Sequence, residues 1–166
     1  GISKEFPWPG SRCGWIEVFN QDKFPDFKCY IDSLINAKRL EVCSTSLPQF
    51  SIPKVMGDPR YENHLAKRRL MFEQRTNEAC DIFSSVDDIF VNRPQGAFYL
   101  SILFKEGVLN QQQSLPIANH AVRKAVEEKV KDVAVDKRFV YYLLGALGIC
   151  VVPLTGFCTD RQGFRV

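Results

Sequence analysis

The chain is 166 residues long, 45% hydrophobic and 25% charged, with 22 basic and 19 acidic side chains giving a net charge of +3. That length suits about one domain with a sizeable core, and the composition excludes disordered, collagen-like and low-complexity chains. Acidic and basic residues are interspersed and nearly balanced, which argues against nucleic acid or a membrane surface as partner. No apolar run reaches the roughly 20 residues of a spanning helix, and no secretory signal is expected. The six cysteines, at 13, 29, 43, 80, 150 and 158, form no CxxC pair and mostly sit in apolar runs. They are expected to be reduced and buried, as in a cytoplasmic protein. His64 and His120 stand apart from any cysteine pair, so no metal site is expected.

In chain order, residues 1–15 have a loop composition, and 13–19 alternate as a strand does. A helix is expected over 24–39, with Phe27, Tyr30, Ile31, Leu34 and Ile35 on one face. Ser44-Thr45-Ser46 offers an N-cap for a short helix over 47–56, which Pro53 should interrupt. Gly57-Asp58-Pro59 breaks the chain before its longest helix, over 59–85, about 35 Å long and able to bridge two domains. Strands are expected at 89–91 and 97–104, then a polar loop over 107–116. A helix follows around 121–130 and another over 137–147, closed by Gly148. Residues 149–152 read as a strand, 153–163 as a loop, and 164–166 as one more strand. Strands separated by helices make an α/β or α+β chain.

The first fourteen residues or so carry the chemistry. Ser3-Lys4, four spacers, Pro9-Gly10, one spacer, Arg12, one spacer and Gly14-Trp15 closely resemble the lysine segment of class I and II pyridoxal-phosphate aminotransferases of fold type I. Pro94-Gln95-Gly96-Ala97-Phe98-Tyr99 resembles a strand of that family's small domain. The run from Gly148 to Pro153, then Gly156-Phe157, then Gly163-Phe164-Arg165-Val166 is similar to its terminal segment. The three blocks come in the family's order, and the resemblance spans the chain.

The resemblance implies roles for four residues. Lys4 would condense with the cofactor aldehyde and, once displaced by the substrate amine, act as general base and acid at the substrate Cα. Arg12 would hold the cofactor phosphate through its guanidinium fork, with Ser3 adding a hydroxyl. Arg165 would grip the substrate α-carboxylate. Tyr99 and Phe98 read as core or cleft-wall residues. Gly1 departs from the pattern, since relatives hold a Ser or Thr phosphate ligand there, so phosphate binding rests more heavily on Arg12.

The fold so implied is α/β, the C-terminal part of a fold type I enzyme. Residues 1–56 would be the tail of the large cofactor-binding domain, and 57–166 the small domain, entered through a long interdomain helix. The implied cofactor is pyridoxal 5'-phosphate, the substrates are an amino acid and a 2-oxo acid, and the intact parent is a cytoplasmic homodimer. The glycine-rich phosphate loop and the ligands of the pyridine ring belong to the portion preceding the lysine segment. The chain is therefore expected to be a piece of a longer protein, inactive alone. The same lysine segment serves pyridoxal-phosphate lyases and the aminotransferase-like effector domains of transcription regulators, which remain alternatives at this stage.

Overall fold

Prolines, apolar periodicity and turn residues lay out the helices of the first part of the chain. The computed structural model describes all 166 residues, which divide into two units, residues 1–67 and 68–166. The first unit holds α1 (Ile2–Glu5), two single 3₁₀ turns (Pro9–Ser11 and Gln21–Lys23), α2 (Pro25–Arg39), α3 (Ser46–Met56) and the first residues of α4 (Tyr61–Ser84). Pro25 opens α2 at a position whose N–H has no intrahelical partner anyway. Asp26 in its first turn and Lys38 and Arg39 in its last complement the helix dipole. Of its expected apolar face only Ile31 is buried, while Tyr30, Leu34 and Ile35 are exposed.

Two expectations for this unit are corrected. Residues 13–19 form no strand. Alternation specifies a face, but a ladder also needs a neighbouring strand to exchange hydrogen bonds with. Pro53 does not interrupt α3, which continues to Met56, where Gly57 N–H donates to the Pro53 carbonyl at 3.0 Å. The bond lost to the proline ring falls on the carbonyl of Gln49, an exposed residue that water can reach.

The second unit is an antiparallel sheet with helices. Its strands are β1 (Ile89–Val91), β2 (Ser101–Phe104), β3 (Val152–Pro153) and β4 (Gly163–Arg165), in the order β1-β2-β4-β3. Strand β4 is internal, and Arg165 pairs with Ser101 on one side and Val152 on the other. Strand β2 is shorter than expected because Ala97 takes a left-handed conformation, φ 62°. Leu100 and Val166 nevertheless exchange two 3.0 Å backbone bonds just beyond the strand. Strand β3 contains only the last residue expected for it, Val152, plus Pro153.

Helices α5 (His120–Lys129) and α6 (Val135–Leu147) complete the unit. Asn119 caps α5, its Oδ1 accepting from the amides of Ala121 at 3.0 Å and Val122 at 3.1 Å. Gly148 ends α6 in the left-handed conformation, φ 70°, as its position in the sequence predicts. The main core joins Cys80 of α4 to Leu100, Ile102, Val140, Val151 and Phe164. Phe139 contacts Phe104 at 5.0 Å and Phe164 at 5.7 Å between ring centres. Ile117, Val126, Val130 and Tyr142 form a second cluster.

Gly163 is demanded by packing, because a Cβ there would lie 2.1 Å from the Ile102 carbonyl oxygen. The cysteines form no disulfide, but the expectation that they are buried holds only for Cys80. Cys29, Cys43, Cys150 and Cys158 are exposed and Cys13 is intermediate, because several lie in turns and helix ends beside the apolar runs. No helix is long and apolar enough to cross a membrane.

Candidate active site

Ser3, Lys4 and Arg12 lie on one loop whose two ends are pinned together. The Ile2 amide donates to the Cys13 carbonyl at 3.3 Å. A Cβ on Gly14 would stand 3.1 Å from the Gly1 Cα, so a side chain at 14 would press on the start of the loop. Inside it, Ser11 Oγ donates to the Trp8 carbonyl at 2.7 Å, closing the turn that Pro9 begins. Ile2 is fully buried, which fixes α1 while its neighbour but one, Lys4, stays exposed. Arg12 takes a left-handed conformation, φ 49°, and spends one N–H on the Pro9 carbonyl at 3.2 Å. Arg12 also helps to line a cleft of about 740 Å³, together with Gly14, Thr45 and Gln49.

Tyr61, at the start of α4, holds the lysine helix from the other side. Its hydroxyl donates to the Glu5 carboxylate, and its ring lies 5.4 Å from that of Phe6. Burial, and after it the bond to Glu5, pushes the Tyr61 phenol up to about 12, so it remains a donor. The turn before α4 is set by Asp58, which accepts from the Arg60 amide at 2.8 Å and from the Arg60 side chain at 2.9 and 2.8 Å. The side-chain bond from Arg60 holds the Asp58 carboxyl well below the usual carboxylate range. The sequence reading missed Tyr61 as an anchor; its one visible signal is an aromatic residue directly after a Gly-Asp-Pro-Arg turn.

Arg165 sits in the second unit. Its guanidinium carbon lies 4.3 Å from the ring centre of Tyr99 and 3.8 Å from that of Phe157. Phe157 belongs to the 3₁₀ turn Leu154–Phe157, and a buried carboxylate fixes that turn. Asp136, fully buried at the start of α6, accepts from the Thr155 amide at 3.0 Å and from its hydroxyl at 2.8 Å. It also accepts from the Lys137 amide at 2.7 Å, and its own N–H donates to Gln162 Oε1 at 3.3 Å. Asp136 thus ties α6 to the Leu154–Phe157 turn through its carboxylate and to the residue before β4 through its backbone amide.

Ser3, Lys4 and Arg12 therefore share one backbone loop, while Arg165 belongs to the other unit. An amine, a hydroxyl and a guanidinium on one closed loop form the donor set that a phosphorylated aldehyde requires, and the residues present fit pyridoxal phosphate in that respect.

Comparison with known proteins gives the family of the chain. The chain is 49% identical over 166 residues to an uncharacterized aminotransferase of Methanocaldococcus jannaschii, covering all of this chain and 38% of that protein. It is 27% identical over 162 residues to an alanine aminotransferase 2-like protein of Danio rerio, covering 93% of this chain and 26% of that one. It is also 27% identical over 158 residues to an inactive alanine aminotransferase of Saccharomyces cerevisiae, covering 89% of this chain and 27% of that one. The chain spans between about a quarter and two fifths of the length of these curated relatives. The family model for aminotransferase class I and II matches residues 1–166, and the chain belongs to that family.

Proposed function

We propose that this chain is the C-terminal portion of a pyridoxal-phosphate-dependent aminotransferase that moves an amino group between an amino acid and a 2-oxo acid. The observation that carries the reading is the pinned loop, which presents Lys4, Ser3 and Arg12 in the family's order. Pyridoxal phosphate, when bound, supplies the electron sink that lets a substrate Cα–H bond ionise. Lys4 would hold the cofactor through its amine and, once free, would serve as general base and acid for the substrate Cα proton. Arg12 and Ser3 donate to the phosphate, and Arg165 pairs with the substrate carboxylate, orienting Cα for proton removal. Tyr61 keeps α1 in place through Glu5 and Phe6.

In the same proposal, residues 1–56 close the large domain and 57–166 form the small one, in a cytoplasmic homodimer. Two relatives bear names that specify alanine, which makes L-alanine and its 2-oxo acid the first pair to assay. The test is borohydride reduction of the full-length protein loaded with pyridoxal phosphate, followed by peptide mapping. The adduct is expected on Lys4 and should vanish in Lys4→Ala. A reducible adduct persisting in that variant overturns the assignment.

A further inference from the structure

Arginines in the second unit are held in two different ways. Arg138 donates Nε to the Gln113 carbonyl at 2.8 Å and Nη1 to the Val130 carbonyl at 3.3 Å. Arg93 donates to Asn77 at 2.6 Å and to Asp81 at 2.5 Å. Both spend N–H donors internally, Arg138 while also lying over the Tyr142 ring at 5.1 Å, and what is spent internally is not available to a ligand. Arg165 is fixed differently. Its guanidinium carbon lies over two rings, Tyr99 at 4.3 Å and Phe157 at 3.8 Å.

Attraction between a cation and a ring face uses the plane of the guanidinium and leaves its N–H edges unspent. Two flanking rings also strip water from the group and restrict a side chain that otherwise samples many rotamers. We propose that Tyr99 and Phe157 are positioning residues for a carboxylate-binding Arg165: they orient its fork without consuming its donors, so that an α-carboxylate meets a group already in place. The proposal rests on the reading of Arg165 as the carboxylate ligand. It goes further in assigning work to two aromatic residues, one in the Gly-Ala-Phe-Tyr stretch and one in a turn 58 positions later. Phe157 is the end of a chain of contacts that begins at the buried Asp136 and runs through Thr155.

The experiment measures binding of 2-methylalanine, an amino acid with no Cα–H to lose, by calorimetry on the full-length protein loaded with pyridoxal phosphate. Tyr99 and Phe157 are 39% and 42% exposed, so trimming either leaves the core intact. Tyr99→Leu and Phe157→Leu are each expected to raise Kd roughly three- to tenfold, the worth of a partly desolvated cation–ring contact. Tyr99→Phe and Phe157→Tyr, which keep the rings, should restore Kd to within about twofold. With Arg165→Lys as background, the leucine variants should add little, because the planar group they orient is gone. Wild-type Kd in both leucine variants, together with weakened binding in Arg165→Lys, overturns the positioning role and leaves the arginine's role standing. Wild-type Kd in Arg165→Lys overturns the carboxylate reading itself.

Discussion

Replacing Asp136 by alanine tests the network beneath Arg165 most directly. The carboxylate is fully buried and accepts three bonds, from the Lys137 amide, the Thr155 amide and the Thr155 hydroxyl. A bond to a charged acceptor contributes about 1.5–3 kcal/mol, and a stranded buried donor costs about 1–3 kcal/mol. Lys137 is exposed and Thr155 half-buried, so water recovers part of the loss at both. The expected destabilisation is about 3–5 kcal/mol, at the upper end for single substitutions. Asp136→Asn keeps the shape and one acceptor oxygen but turns an NH₂ toward donors, and should cost roughly 2 kcal/mol. Urea unfolding followed by circular dichroism reads both values. With a slope of about 1.5 kcal/mol per molar, the alanine midpoint should fall by roughly 2 M or more. A loss below about 1 kcal/mol would show that the carboxylate does not hold the Leu154–Phe157 turn and that Phe157 is not fixed from Asp136.

Gly163→Ala should abolish or severely weaken the β2–β4 pairing, because its Cβ meets a backbone oxygen at 2.1 Å. Gly145→Ala should stay within about 1 kcal/mol of wild type: its Cβ meets the movable methyls of Val126 and Ile117 at 2.8 and 2.9 Å, and alanine favours the helix by about 1 kcal/mol. Equal melting temperatures for the two variants would refute the distinction between rigid and yielding neighbours. The Tyr61 phenol is raised from 10.0 to about 12, so the fold favours its protonated form. The advantage of wild type over Tyr61→Phe should therefore be full below pH 10 and disappear as pH rises through 12; an advantage that grows above pH 10 has the wrong sign. An aromatic disulfide reagent should modify Cys29, Cys43, Cys150 and Cys158 in the folded protein and reach Cys80 only in denaturant. Native-state reaction at Cys80 would contradict its place in the core.

Helices were legible because their signals are local. The apolar spacing within 24–39 and Gly148 after α6 each act within a few residues of themselves. Strands were legible only where the chain also supplies a neighbour. Residues 89–91 and 101–104 find each other in register, whereas 13–19 alternate just as well and pair with nothing in their unit. The lysine loop could be read from sequence because its residue types fall at fixed spacing within one stretch. Its support could not, since Tyr61 reaches Glu5 across 56 positions. The setting of Arg165 was still less visible, for Tyr99 and Phe157 look like ordinary apolar residues until folding lays their faces against one cation.

The residues proposed for the two halves of the chemistry rest on backbone of opposite character. Arg165 lies on an internal strand, paired with β2 on one side and β3 on the other, so its amide stays covered until a ladder of that sheet separates. Amide exchange in β4 should accordingly follow the larger, cooperative openings of the second unit. Lys4 stands on a helix of four residues, too short for a run of mutually supporting turns, and its amides should exchange through small local fluctuations. A group that only has to recognise an anion benefits from an anchor that rarely opens. The amine proposed to let go of one partner and collect a proton from another is served by a segment whose free energy of opening is low.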